Sequence, residues 1–113
     1  MEYIINAENQ KLGRLASKIA VILQGKMTAG YNPRLLGKDK VVVENISKLM
    51  VTGRKFSDKI YYHHTGYMGH LREKTFQDIF TKAPAKVLRK AVYNMLPKNR
   101  LRAQRLKRLT IKN

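Results

Sequence analysis

Leu12-Gly13-Arg14-Leu15-Ala16-Ser17-Lys18-Ile19-Ala20-Val21-Ile22-Leu23-Gln24-Gly25, followed after a loop-like stretch by Val41-Val42-Val43, decides the fold. In the first piece Leu12, Leu15, Ala16, Ile19, Ile22 and Leu23 recur at helical spacing, and Lys11, Arg14 and Lys18 fall largely off that stripe. Gly25 is placed to end the helix in a left-handed conformation. The valine run is continuous and β-branched instead, the pattern of a strand covered on both faces.

Upstream, Tyr3-Ile4-Ile5 predicts a short buried strand, with Asn6, Glu8 and Asn9 supplying turn chemistry. Gly25 to Lys38 has the Gly, Pro, Asn and Thr content of a long loop. Downstream, Leu49 to Thr52 and Lys59 to His64 predict two further strands, and Thr65 to Gly69 breaks the second. Thr75 stands as an N-cap with Asp78 three residues on, and Pro84 suits the first turn of another helix. In that helix Val87, Leu88, Ala91, Val92, Met95 and Leu96 share one face, Lys86, Arg89, Lys90 and Asn94 the other, and Pro97 stops it. Strands alternating with helices predict an α/β domain spanning residues 1–113, with helices on a largely parallel sheet of about four strands.

Of 113 residues, 24 are Lys or Arg and seven Asp or Glu, for a formal charge of +17. Such self-repulsion is relieved by a polyanion, and nucleic acid is the leading partner. No apolar run reaches the roughly 18 residues of a membrane span, and the opening MEYIINAEN has an acid where a signal peptide needs basic residues. Membrane partners and secretion are poor readings. The lack of Cys excludes disulfides and thiolate sites and suits a cytoplasmic setting.

The charge is uneven: residues 1–78 hold 13 cations and all seven acids, whereas residues 79–113 hold 11 cations and no acid. Lys98, Arg100, Arg102, Arg105, Lys107 and Arg108 make residues 98–113 a basic segment. Wound as a helix, this segment mixes Leu101, Leu106 and Leu109 with arginines on one arc. It is therefore expected to lie between the domain and RNA, with its guanidinium groups on phosphates.

Tyr61-Tyr62-His63-His64-Thr65-Gly66-Tyr67-Met68-Gly69-His70 is the densest concentration of potential chemistry. As a metal site it is poor, because adjacent His63 and His64 point to opposite faces of a strand and the nearest acids are Asp58 and Glu73. As an RNA-contact loop it has glycines that let backbone N–H groups approach phosphate and rings that stack on bases. Tyr61 and Tyr62 read equally as core rings at a strand end. Thr52-Gly53-Arg54-Lys55 presents two cations at a turn, either toward phosphate or simply toward solvent. Gly25-Lys26 and Gly37-Lys38 are only fragments of a P-loop, and Ser47 and Ser57 have no base nearby in sequence. No catalysis, metal, cofactor or small-molecule substrate is expected.

Leu12-Gly13-Arg14-Leu15-Ala16, Gly25-Lys26, Tyr31-Asn32-Pro33, Val51-Thr52-Gly53 with Lys55, Asp58-Lys59-Ile60-Tyr61-Tyr62, His64-Thr65-Gly66-Tyr67, Thr75-Phe76 and Met95-Leu96-Pro97-Lys98-Asn99 occur in this order. In these motifs the sequence resembles, nearly end to end, the bacterial-type large-subunit ribosomal protein family numbered thirteen. The resemblance implies a three-layer α/β/α domain that binds large-subunit ribosomal RNA early in assembly, among neighbouring large-subunit ribosomal proteins, in a cytoplasmic or organellar ribosome. It implies no reaction. Arg54, Lys55, the His64 to Tyr67 loop and the Pro97-Lys98-Asn99 turn are similar to that family's RNA-contacting segments. Set against the family pattern, the resemblance reads as a short form lacking the N-terminal arm and the C-terminal extension, and Asn6, Met68, His70, the Arg34 to Lys38 stretch and Arg102 depart from the usual residues. The expected RNA-binding set is Lys11, Arg14, Lys26, Arg34, Lys38, Arg54, Lys55, His63, His64, Thr65, Gly66, Tyr67, Gly69, Arg72, Lys98, Asn99, Arg100, Arg102, Arg105, Lys107 and Arg108. A free-standing RNA-binding regulatory module is the competing function class.

Overall fold

Short apolar strands cannot stand alone, and here three of them are joined edge to edge and backed by the two amphipathic helices. The computed structural model describes residues 2–51, 55–64, 66, 68–69 and 71–112, with the side chains of residues 55, 56 and 64 outside that description. Strand β1 (Glu2–Asn6) runs parallel to β2 (Lys40–Glu44), with Tyr3 beside Val41 and Ile5 beside Val43. Between them the chain crosses over through α1 (Leu12–Gln24), as parallel neighbours require. Gly25 ends α1 at φ 81°, and its N–H donates to the Ile22 carbonyl, as expected for a left-handed cap.

Side chains alternate along strands, so Tyr3, Ile5, Val41 and Val43 share one face. Val41 and Val43 are fully buried there, in one core with Leu15, Ala16, Ile19 and Leu23 of α1. The helix α4 (Pro84–Met95) adds Val87, Leu88 and Val92 to that core. Each Val, Leu or Ile among them contributes on the order of 1.5–3 kcal/mol on leaving water. The covering is unequal, however: on the opposite face Ile4 is 68% exposed and Val42 only half-buried. The valine run is therefore fully covered on one face only, which corrects the expectation of a strand buried on both faces.

The rest of the chain builds a second unit on the same core. Strands β3 (Ile60–His64) and β4 (Leu71–Thr75) form an antiparallel pair, with Tyr61 opposite Lys74 and His63 opposite Arg72. The short helix α2 (Lys55–Asp58) precedes the pair and α3 (Phe76–Lys82) follows it. Thr75 caps α3 as its position predicts: its hydroxyl oxygen accepts the Asp78 N–H at 3.3 Å, an interaction typically worth about 1 kcal/mol. Phe76, with no exposure, stacks on Tyr61 at 6.4 Å and on Phe80 at 5.6 Å between ring centres, tying the hairpin to the helices.

The α/β class and the largely parallel sheet hold, and three elements differ from expectation. Leu49 to Val51 forms no strand: Asn45 turns left-handed after β2, residues Ile46–Lys48 wind into a 3-10 turn, and only Met50 bridges, to Lys11. The antiparallel partner of β3 is a strand that the polar sequence Leu71-Arg72-Glu73-Lys74-Thr75 does not announce, because its residues are mostly exposed. The largest difference is at the C-terminus. Residues 98–112 are not one surface helix but a short helix α5 (Leu101–Leu106) that returns the chain to the sheet. There β5 (Leu109–Ile111) pairs parallel with β2, placing Leu109 beside Val41 and completing the order β1-β2-β5. Leu109 is 2% exposed, so the segment contributes to the core through β5 while Lys98, Arg100 and Lys107 stay exposed.

Candidate nucleic-acid interface

Two of the expected RNA-binding arginines are engaged inside the protein. Arg105 is 1% exposed, and its guanidinium donates to the carbonyls of Leu35 at 2.9 Å, Leu36 at 3.4 Å and Pro33 at 3.5 Å. Arg108, half-buried, donates to the carbonyls of Asp39, Leu23 and Leu36, each at 2.7 Å. Burial, and behind it the charge of Arg105, push the Arg108 guanidinium down from its ordinary value, while Asp39 acts the other way. A guanidinium in a low-dielectric site must find acceptors, and irregular loops have spare carbonyls. The two arginines thus hold the long loop after α1 against α5. Gly37 takes φ 87° in that loop, a conformation glycine adopts freely, and a Cβ there would touch the Arg108 guanidinium at 3.5 Å. This corrects the expectation that Arg105 and Arg108 face phosphate.

By fixing the loop, the pair gathers other cations. Pro33 and Arg34 come to lie beside Asn99, Arg100, Leu101 and Gln104 around an open depression. Asn99 has a local task, since its side-chain oxygen accepts the Leu101 N–H at 3.0 Å at the start of α5. The Arg102 guanidinium lies over the Tyr93 ring, 3.7 Å from its centre, and donates to its hydroxyl at 2.6 Å, so it is held in place. Lys26, from the same loop, stands over Tyr31 at 5.8 Å. Lys26, Lys38, Lys98, Arg100 and Lys107 are exposed.

The remaining expected residues fall into two other places. Lys11 and Arg14 are exposed at the N-terminal end of α1, a helix about 20 Å long, which separates them from the Lys26 and Arg34 end. On the hairpin, His63 and Arg72 are exposed and directly opposite each other. Gly66 and Gly69 take φ of 92° and 76° in the connection, a conformation glycine adopts freely, and a Cβ at either would meet nothing within 4 Å. Arg54, Thr65 and Tyr67, and the side chains of Lys55 and His64, lie outside the described residues. Among the described residues, the cations of the expected set are therefore spread over the body of the molecule and do not converge on one centre. Among the described residues no group of three or more His, Cys, Asp or Glu is placed to hold a metal ion.

One cationic cluster was not anticipated. Lys74 on β4, Lys82 at the end of α3, and Lys86 and Lys90 on α4 surround a cavity floored by Tyr61, Ile79 and Val87. Lys90 and Lys59 approach the Tyr61 ring at 5.1 and 5.3 Å, and burial raises the Tyr61 phenol above its usual range. The spacing of Lys86 and Lys90 on α4 was a readable signal for two of these lysines. Lys74 joins them only because β4 pairs with β3.

Comparison with known proteins bears on the same span. A family model described as ribosomal protein L13 matches residues 1–112. The large ribosomal subunit protein uL13 of Vesicomyosocius okutanii subsp. Calyptogena okutanii is 48% identical over 108 residues, covering 96% of this chain and 76% of its own. Its counterpart from Alkalilimnicola ehrlichii is 45% identical over 109 residues, covering 96% and 77%. That of Geobacter sulfurreducens is 46% identical over 109 residues, covering 96% and 76%.

Proposed function

The chain belongs to the ribosomal protein L13 family, and from that premise we propose that it is a structural constituent of the large ribosomal subunit that binds ribosomal RNA and supports assembly. The observation that carries this reading is the match of residues 1–112 to a family of large-subunit proteins. The charge supplies the physical means: +17 on one domain, with exposed cations along α1, on the hairpin and around α5. A spread of this kind suits a folded RNA surface, where many phosphate contacts add up and no single one dominates.

Lys11, Arg14, Lys26, Arg34, Lys38, His63, Arg72, Lys98, Arg100, Arg102 and Lys107 are the side chains assigned to this contact. Gly66 and Gly69 allow the hairpin backbone to approach phosphate. Arg54, Lys55, His64, Thr65 and Tyr67 belong to the same proposal on sequence grounds. Arg105 and Arg108 act indirectly, by fixing the loop that carries Lys26, Arg34 and Lys38. The reading assigns no reaction, and its partners are large-subunit ribosomal RNA and adjacent proteins of the subunit.

Co-sedimentation tests it. A tagged chain expressed in a bacterial host should travel with large subunits through a moderate-salt wash at about one copy each, as one RNA-borne component does. A chain that stays at the top of the gradient, bound to free RNA, would instead be a free-standing RNA-binding module.

A further inference from the structure

Between the β3–β4 hairpin and the corner where α3 meets α4 lies a cavity of about 240 Å³. Its floor is apolar, made by Ile79, Val87 and the ring of Tyr61, and its rim carries Lys74, Lys82, Lys86 and Lys90. Asp78 is the acid in its wall. The four lysines are exposed, and none of them makes an ion pair among the described residues. Lys86 and Lys90 stand four apart on one helix, where like charges repel. Lys74 is placed opposite Tyr61 by strand register, and Lys90 sits over the same ring.

A ring of cations around an apolar floor presents two requirements at once. Phosphate answers the ammonium groups, which act as compact point charges, but would leave the floor wet. An acidic peptide supplies charge without a flat apolar face. A nucleotide supplies both, since every base has a face that stacks on apolar and aromatic surface. The cavity is smaller than the roughly 300–1,000 Å³ of clefts that enclose a drug-sized ligand, which limits it to a single ring system. We propose that this cavity receives the base of one unpaired RNA nucleotide, with the adjoining phosphate held by Lys82 and Lys86. The proposal rests on the RNA-binding reading above and adds a base-accepting seat to a surface otherwise described by phosphate contacts.

The test uses the full chain and adenosine 5′-monophosphate, followed through the NMR methyl signals of Ile79 and Val87. The nucleotide should shift both signals, and inorganic phosphate, which lacks the stacking base, or adenosine, which lacks the charge-assisted hydrogen bonds, should each bind at least about tenfold more weakly. Lys82→Gln with Lys86→Gln, both exposed in the parent, should weaken nucleotide binding by roughly the same factor at unchanged thermal stability. A short single-stranded RNA should move the same two methyl groups. The proposal is overturned if the nucleotide leaves Ile79 and Val87 unmoved, if phosphate binds as well as the nucleotide, or if a glutamate-rich peptide displaces the nucleotide at equal concentration. Filter binding to large-subunit ribosomal RNA separates the two readings. Intact ribosomal RNA binding with a silent cavity sinks only the nucleotide seat. Nucleotide binding in the cavity without any ribosomal RNA binding overturns both the RNA reading and the assignment of the cavity to an RNA base.

Discussion

Replacing Arg105 by Met keeps most of the buried stem and removes the guanidinium, so the change in stability reports the bonds to the loop. Of its three acceptors, only the Leu35 carbonyl, at 2.9 Å, lies within the usual hydrogen-bond range, and those of Leu36 and Pro33, at 3.4 and 3.5 Å, add less. A hydrogen bond to a charged group contributes about 1.5–3 kcal/mol, and a buried acceptor left unpaired costs a similar amount. Two effects reduce the loss. Leu35 is 54% exposed, so water can reach that part of the loop, and removing Arg105 also relieves its repulsion of Arg108. The expected destabilisation is therefore about 2–3 kcal/mol, which for a domain of this size lowers Tm by roughly 8–12 °C. Urea unfolding followed by circular dichroism measures it, with Arg100→Gln as the exposed control, expected to fall within about 0.5 kcal/mol of the parent. If Arg105→Met is as stable as that control while its RNA affinity drops, Arg105 contacts RNA and the loop-clamp account is wrong.

Two further outcomes follow from the same geometry. Neutralising Lys98, Arg100 and Lys107 together, all exposed, should leave Tm unchanged and make the slope of log affinity for ribosomal RNA against log salt shallower by roughly 2–3, at about 0.7–0.9 per phosphate contact; an unchanged slope with a uniform loss would mean that they do not meet phosphate. Burial raises the Tyr61 phenol, so the folded state holds its proton more tightly than the unfolded chain. That contribution is complete below the unfolded value near 10 and is lost as pH rises through the higher folded value. Tyr61→Phe should therefore flatten part of the fall in stability above pH 10, measured by urea midpoints across an alkaline series, and an equally steep fall in the variant would refute the assignment.

The elements legible in the sequence are those whose cause is local. The stripe from Leu12 to Leu23 spans several turns, so its period identifies α1 and its buried face alike, and the stripe from Val87 to Leu96 does the same for α4 except at Met95, which is exposed. Gly25, Thr75 and Pro84 act within one turn of themselves and stand where their chemistry requires. The excess of cations, from which an anionic partner is expected, is a property of composition. The remaining features depend on residues far apart in the chain. Leu109–Ile111 is too short to show a period, and it is a strand because the free edge of β2 is there to pair with it. Arg105 and Arg108 look like surface cations beside their neighbours in sequence. Their acceptors are carbonyls some 70 to 85 positions away, brought within reach only when α5 docks against the loop after α1. The lysine-rimmed cavity has the same origin, since strand pairing sets Lys74 against lysines whose helical spacing alone gave no hint of a shared apolar floor. Periodicity records which face a segment buries; which distant groups neutralise or crowd one another is settled by packing.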